Sequence, residues 1–170
     1  MILLIFVGCA DIPATEKILF DFEEDADLDK IHWKCHTLFS LSDHHASHDA
    51  KSLRMELYPS PYPGVTPILK DNDWSRFRSL VFDVYNPHEN GIKLTVRIDD
   101  QKDYPEYENR YNKGFVLEHG DNRIEISVQS LVTSGTERRL EATTIYRLIM
   151  FLVDPPVKTE LYLDHIRLVK

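Results

Sequence analysis

The sequence predicts an all-β fold built from antiparallel strands. Short segments alternate apolar and polar residues with a period of two, and turn residues separate these segments at short intervals. In Leu53-Arg54-Met55-Glu56-Leu57 the apolar side chains share one face, as is typical of a half-buried strand. No long amphipathic helix is visible, which disfavours folds that alternate strands and helices. About eight strands, a number that suits a sandwich or a barrel, are predicted at residues 18–22, 52–58, 79–85, 92–99, 111–117, 123–128, 145–153 and 159–169.

Turn residues predict how two of these strands are connected. Asn86-Pro87 ends the strand 79–85, because Asn-Pro is a turn dipeptide. Asn90-Gly91 precedes the strand 92–99 and is typical of a tight hairpin connection. These two strands are therefore predicted to be neighbours.

The segment 145–153 is nearly continuously apolar, which predicts a strand buried on both faces. Asp154-Pro155-Pro156 ends it, since proline has no N–H for a sheet ladder. Short helical turns are expected only within residues 128–133 and 136–144.

Composition indicates one soluble globular domain and narrows its function. The chain has 170 residues, 42% of them hydrophobic, and a formal net charge of −8. It lacks the clustered Lys and Arg that nucleic-acid binding requires. Nucleophile elbows and phosphate-binding glycine loops are also absent, and the chain has only six glycines. A binding domain is therefore predicted rather than an enzyme.

The N-terminus resembles a bacterial lipoprotein signal. An apolar run, Met1–Val7, leads into Phe6-Val7-Gly8-Cys9, which is similar to a lipobox with Cys9 as the lipidated residue. Phe6 stands where Leu is more common, and no Lys or Arg precedes the run. We expect a signal remnant and tether at 1–17, a folded domain at 18–170, and presentation at the bacterial cell envelope. The alternative is a first buried strand with one buried cysteine.

The only other cysteine is Cys35. Lipidation or removal of Cys9 leaves Cys35 without a partner, so no disulfide is predicted. A Cys9–Cys35 bridge is the minor alternative.

A set of phrases in a fixed order resembles the galactose-binding-like jelly rolls. They are similar in particular to carbohydrate-binding modules of families 4 and 11 and to the complex I intermediate-associated group. The resemblance covers residues 18–169 and implies a two-sheet antiparallel β-sandwich that binds a polysaccharide or glycan. A structural or protein-interaction domain of the envelope, with a protein partner, is the alternative. The phrases are Ile18–Glu23, Ala50–Met55, Trp74–Pro87, Leu94–Asp100, Leu117–Ile124 and Leu161–Leu168.

The resemblance also implies a structural calcium ion where the first and last strands meet. Calcium takes six to eight oxygen ligands, and the matching positions supply carboxylates and one backbone carbonyl. They are Asp21, Glu23, Lys51 through its carbonyl, and Asp164. The alternative is that these carboxylates accept hydrogen bonds from turn amides or a nearby arginine.

A sugar-binding face is the second implication. Aromatic rings would stack on sugars there, and polar side chains would bond their hydroxyls. The alternative is an ordinary solvated face, with Arg97–Asp99 as a surface ion pair. The candidate residues are Asp83, Tyr85, Arg97, Asp99, Tyr104, Tyr107, Tyr111 and Lys113.

A third group is the run His44, His45 and His48 with Asp43 and Asp49. Its density suggests a metal site, but its spacing matches neither a zinc finger nor a metalloprotease helix. A solvated loop is the favoured interpretation.

Overall fold

The computed structural model describes residues 15–33 and 35–170, so the predicted lipidation site Cys9 lies outside the described residues. Strands and three short 3₁₀ helices make up its regular structure, and no helix in this part of the chain is long and apolar enough to cross a bilayer. The helices are Asp25–Lys30, Tyr107–Asn109 and Val128–Ser130. The strands are β1 (Glu16–Phe20), β2 (Ile31–Trp33), β3 (Thr37–Ser42), β4 (Ser52–Leu57), β5 (Gly64–Pro67), β6 (Ser79–Asn86), β7 (Ile92–Asp99), β8 (Tyr111–Leu117), β9 (Gly120–Ser127), β10 (Arg147–Phe151) and β11 (Thr159–Val169).

The strands form two antiparallel sheets. The first sheet has the order β3-β4-β11-β6-β9, with β1 paired to the end of β11. The second has the order β2-β5-β10-β7-β8. This arrangement confirms the predicted two-sheet antiparallel sandwich.

The core between the sheets follows from the period-two alternation. Leu53, Met55 and Leu57 of β4 are buried as predicted, and Leu94 and Ile98 of β7 approach them from the second sheet. Burying each such side chain stabilises the fold by about 1.5–3 kcal/mol relative to leaving it exposed. The core thus fixes which side chains of every strand face outwards.

The predicted hairpin between β6 and β7 is wrong. β6 pairs with β9 and β11 in the first sheet, whereas β7 pairs with β8 and β10 in the second. Residues 87–91 therefore cross between the sheets. Buried Asn86 holds this crossing, because its Nδ2 donates to the carbonyls of Asn90 and Leu117. A turn signal marks a change of direction but does not identify the pairing partner.

β10 is buried on both faces only at its centre, and not along its whole length as predicted. Leu148 and Met150 point into the core and Ile149 is buried on the outer side, whereas Arg147 and Phe151 on that side are half-buried. The helical turn expected within 128–133 is confirmed by Val128–Ser130, but residues 136–144 form no helix. β1 begins at Glu16, two residues before the predicted domain boundary.

Candidate functional site

The outer side of the second sheet carries charged and aromatic side chains that are buried or half-buried. Because Leu94, Val96 and Ile98 point into the core, the alternate residues of β7 face outwards. Cross-strand partners share a face, so the register extends this surface over β5, β10 and β8. We call it the second-sheet face and define it by Thr66, Thr95, Arg97, Asp99, Asn112, Arg147, Ile149 and Phe151.

An ion cluster lies on this face where β7 ends and β10 begins. Arg97 donates from Nε and Nη2 to the two oxygens of Asp99, at 2.8 and 2.6 Å. Arg147 Nη1 donates to Asp99 Oδ2 at 3.4 Å and to the Gln101 carbonyl at 3.0 Å. The Asp99 side chain is 0% exposed and that of Arg97 13%, so this is not the exposed surface pair considered above. Asp99 fixes both guanidinium groups in one orientation.

Aromatic rings flank the cluster. Tyr104 is 77% exposed, and the Arg147 guanidinium lies 4.0 Å from its ring centroid. Tyr62 is 53% exposed and stands edge-on to Phe151, with ring centroids 5.7 Å apart. Phe151 and Arg147 are four residues apart on β10, which separates the two aromatic sites by about 13 Å along the strand. Such rings offer an apolar surface with a polar rim.

Several polar atoms of this region lack a partner. Among the described residues, Thr66 Oγ1, Arg110 Nε and Asn112 Nδ2 are buried without a hydrogen bond. Burial, and then the nearby charge of Arg97, lower the pKa of the Arg110 guanidinium. Folded proteins leave few buried polar groups unpaired, so these three atoms are exceptions in this region.

The predicted ligand residues do not share one face. Arg97 and Asp99 lie on the second-sheet face, with Tyr104 and the exposed Tyr107 in the loop beside it. Tyr111 is in register with Ile98 and points to the core side of β8, where burial raises its pKa to about 12.

Lys113 is in register with Val96 on that same side of β8, and its Nζ lies 5.3 Å from the Phe115 ring. Asp83 and Tyr85 lie on the outer side of the first sheet, because β6 belongs to that sheet. The prediction that all these residues share one face is therefore wrong, because it requires β6 and β7 to be neighbours in one sheet.

Sequence reasoning missed other residues of the face. The apolar run 145–153 predicts a fully buried strand and so gives no sign that Arg147 and Phe151 face outwards, although Arg147 is the one charged residue in that run. Tyr62 lies in a proline-rich loop that carried no ligand prediction. Gly64 ends this loop, and a Cβ there would meet the Met150 carbonyl at 2.2 Å, so β5 approaches β10 closely.

Residues 43–51, which we call the His loop, lie over part of the outer side of the first sheet. His45 stacks on Tyr85 at 3.5 Å between centroids, and its ring lies edge-on to Tyr162 at 4.6 Å. Asp83 accepts hydrogen bonds from Ser47 Oγ and Arg167 Nη1 at 3.3 and 2.8 Å. The side chains of Asp83 and Tyr85 are therefore occupied by contacts with Ser47, Arg167 and His45.

Of the predicted calcium ligands, Lys51 belongs to this loop, and Asp21, Glu23 and Asp164 contact it. Glu23 Oε1 accepts the backbone N–H groups of Ala50 and Lys51 at 3.1 and 2.8 Å, and Lys51 Nζ donates to the Glu23 carbonyl at 3.0 Å. Asp164 Oδ2 accepts the N–H groups of Ser47 and His48 at 2.7 and 3.0 Å.

Burial raises the pKa of Asp164, against the effect of these amide bonds. Within the described ranges, the group of acidic and histidine side chains close enough to share an ion includes neither Glu23 nor Asp164. As arranged, Glu23 and Asp164 accept backbone N–H groups, as in the alternative given above, and calcium binding at Asp21, Glu23, Lys51 and Asp164 stays a prediction.

Comparisons with known proteins bear on the fold. No protein-family model matches the sequence, and no similar sequence was found among curated proteins. The family 11 carbohydrate-binding module of Clostridium thermocellum, solved with a β-1,3-1,4-mixed-linked tetrasaccharide, superposes with a TM-score of 0.68 at 16% identity. The match covers 91% of this chain and 95% of that module. This chain has the jelly-roll fold of the family 11 modules.

Two larger enzymes contain the same fold as one part of their chains. An exo-β-agarase matches with a TM-score of 0.69 at 16% identity, over 89% of this chain and 24% of the agarase. The CBM22-1–GH10 modules of Clostridium thermocellum xylanase 10B, solved with xylohexaose, match with a TM-score of 0.60 at 12% identity. That match covers 95% of this chain and 29% of the xylanase chain. The predicted galactose-binding-like jelly roll is thereby confirmed as a fold.

Proposed function

We propose that this chain is a non-catalytic domain that binds a polysaccharide on the second-sheet face. The observation that carries the proposal is the placement of exposed Tyr62 and Tyr104 at either end of the ordered Arg97–Asp99–Arg147 cluster. Two proteins of similar fold were solved with oligosaccharides, which supports a glycan as the ligand.

Each part of the face has a role in this proposal. The tyrosine rings stack on the apolar faces of sugar rings, and the guanidinium groups donate to hydroxyl oxygens. Asn112 Nδ2 supplies a further donor that lacks a partner within the described chain. Asp99 is occupied by Arg97 and Arg147, so it orients donors instead of acting as an acid or base. Hydrolysis of a glycosidic bond requires two carboxyl groups with defined roles, and the second-sheet face as defined above contains a single one.

Affinity electrophoresis tests this proposal. We expect a soluble mixed-linkage β-glucan, a xylan or an agarose to retard the chain, and Tyr104→Ala to weaken the interaction by about 1 kcal/mol, roughly fivefold in Kd. Tyr58→Ala is the matched control, because Tyr58 lies away from the face, against Lys158 and Glu56. If no glycan retards the parent chain, sugar binding is refuted and a protein-interaction role at the envelope takes its place.

We also propose that the domain is exported and attached to the bacterial envelope through a lipid on Cys9. The support is the apolar run Met1–Val7 followed by Gly8-Cys9. Metabolic labelling with radioactive palmitate during expression from the native gene tests it. We expect the chain to be labelled, Cys9→Ser to lose the label, and Cys35→Ser to keep it. An unlabelled parent chain would overturn the proposal.

A further inference from the structure

Three side chains from distant parts of the sequence meet beside the His loop. Asp21 follows β1, His48 belongs to the His loop, and His165 lies where the register of β11 shifts against β6. His48 Nδ1 is 2.9 Å from Asp21 Oδ1, and the rings of His48 and His165 stack at 4.1 Å between centroids. One ligand atom from each of the three residues lies within 4.8 Å of the other two.

His165 has a buried nitrogen without a partner. The residue is only 8% exposed, and within the described part of the chain its Nε2 has no hydrogen bond. Its backbone is in the left-handed region, with φ of 46°, which is uncommon for a residue other than glycine. Glu16 Oε1 lies 3.9 Å from this Nε2, too far for a hydrogen bond. The fold therefore keeps His165 in position although its backbone conformation is uncommon and its buried Nε2 lacks a hydrogen bond.

We propose that Asp21, His48 and His165 bind a divalent transition-metal ion such as Zn²⁺, with Glu16 as a further carboxylate ligand. Two imidazoles with one or two carboxylates are a donor set that suits zinc, whereas calcium takes oxygen ligands. Zinc sites are tetrahedral with ligands at about 2.0–2.2 Å, so two ligand atoms lie about 3.3–3.6 Å apart. The ligand atoms of Asp21, His48 and His165 lie within 4.8 Å of one another, so binding an ion requires side-chain shifts of about 1 Å.

The local chemistry is consistent with an ion in this position. His48 Nδ1 and Asp21 share a hydrogen bond, and a cation between them would replace the shared proton.

The ion would join β1, the His loop and β11 at one point. Because it would bind the folded chain only, it would stabilise the fold by mass action. The site lies on the first sheet, on the other side of the sandwich from the second-sheet face. Metal binding and glycan binding are therefore separate properties, and each can fail without the other.

Calorimetric titration of the untagged, chelator-treated chain with ZnCl₂ tests the inference. We expect one Zn²⁺ per chain and a higher melting temperature in its presence, and tighter binding of zinc than of calcium in a parallel titration with CaCl₂. His48→Gln and Asp21→Asn should each weaken zinc binding tenfold or more. His44→Gln is the matched control, because His44 is exposed in the same loop and should bind zinc as the parent does.

Cobalt reports the ligands directly. Co²⁺ bound by the parent chain should show the visible absorption of a nitrogen- and oxygen-ligated site, and His165→Asn should lose it while circular dichroism shows a retained fold. Asparagine is chosen because it tolerates left-handed backbone. A parent chain that binds no zinc would overturn the inference. So would equal zinc affinity in His48→Gln, or tighter binding of calcium than of zinc.

Discussion

Asp99 determines the geometry of the proposed binding surface. Its carboxylate is fully buried and accepts hydrogen bonds from Arg97 and Arg147. The guanidinium group of Arg147 in turn stacks against the ring of Tyr104. The sequence predicts that Arg97 and Asp99 face outwards, because they alternate with the core residues of β7. It does not predict that Asp99 is buried, since that depends on Arg147 from β10, a strand about 50 residues further along the chain.

Replacing Asp99 by Asn should destabilise the fold. The change leaves two guanidinium groups without their buried counter-charge, and breaking such a pair costs about 3 kcal/mol. Urea unfolding of Asp99→Asn and the parent chain measures the difference. Asp103→Asn is the control, because Asp103 is exposed in the following loop. A loss below about 0.5 kcal/mol would show that the cluster is solvated and has no structural role.

At the scale of elements, strands with an apolar face are visible in the sequence and the others are not. The sequence predicts β4, β7 and β9 because apolar and polar residues alternate along them. β2 and β5 have only three and four residues, and they form by pairing onto larger neighbours. The sequence of a strand does not show which sheet it joins. For this reason the sequence wrongly predicts that Asp83 and Tyr85 share a face with Arg97 and Asp99.

Asp100 anchors the irregular segment between β9 and β10. Its oxygens accept bidentate hydrogen bonds from Arg138 at 2.6 and 2.8 Å and the Glu141 N–H at 2.8 Å. Although burial acts in the opposite direction, these bonds hold the pKa of Asp100 below its usual value. A lowered carboxyl pKa contributes stability that is present above the unfolded pKa of about 3.9 and is lost as the pH falls through the folded pKa.

Asp100→Asn should therefore be less stable than the parent chain at pH 7, and this difference should shrink as the pH falls below about 4. Free energies of unfolding measured from pH 7 down to pH 3 test this, with exposed Asp29→Asn as the control. A difference that stays constant across this range would contradict the assignment.

At the scale of the whole molecule, the two outer faces of the sandwich differ. The His loop lies over part of the first sheet, where His45 stacks on Tyr85 and Ser47 donates to Asp83. Beside the second-sheet face Tyr62 and Tyr104 are exposed, and unpaired polar atoms remain within the described chain. The order of family-like phrases predicts the jelly roll, but the conformation of the His loop decides whether Asp83 and Tyr85 are free. That conformation depends on contacts with β1, β6 and β11, which no local pattern shows.

The most direct test of the proposed function is an NMR titration of the ¹⁵N-labelled chain with a mixed-linkage β-glucan tetrasaccharide and with xylohexaose. We predict that at least one oligosaccharide shifts signals of β7, β8 and β10, together with the side-chain N–H signals of Arg97, Asn112 and Arg147. Signals of residues on the outer side of the first sheet, such as His45 and Tyr85, should stay unchanged. Shifts confined to the outer side of the first sheet, or no shifts with either oligosaccharide at millimolar concentration, would contradict the proposal.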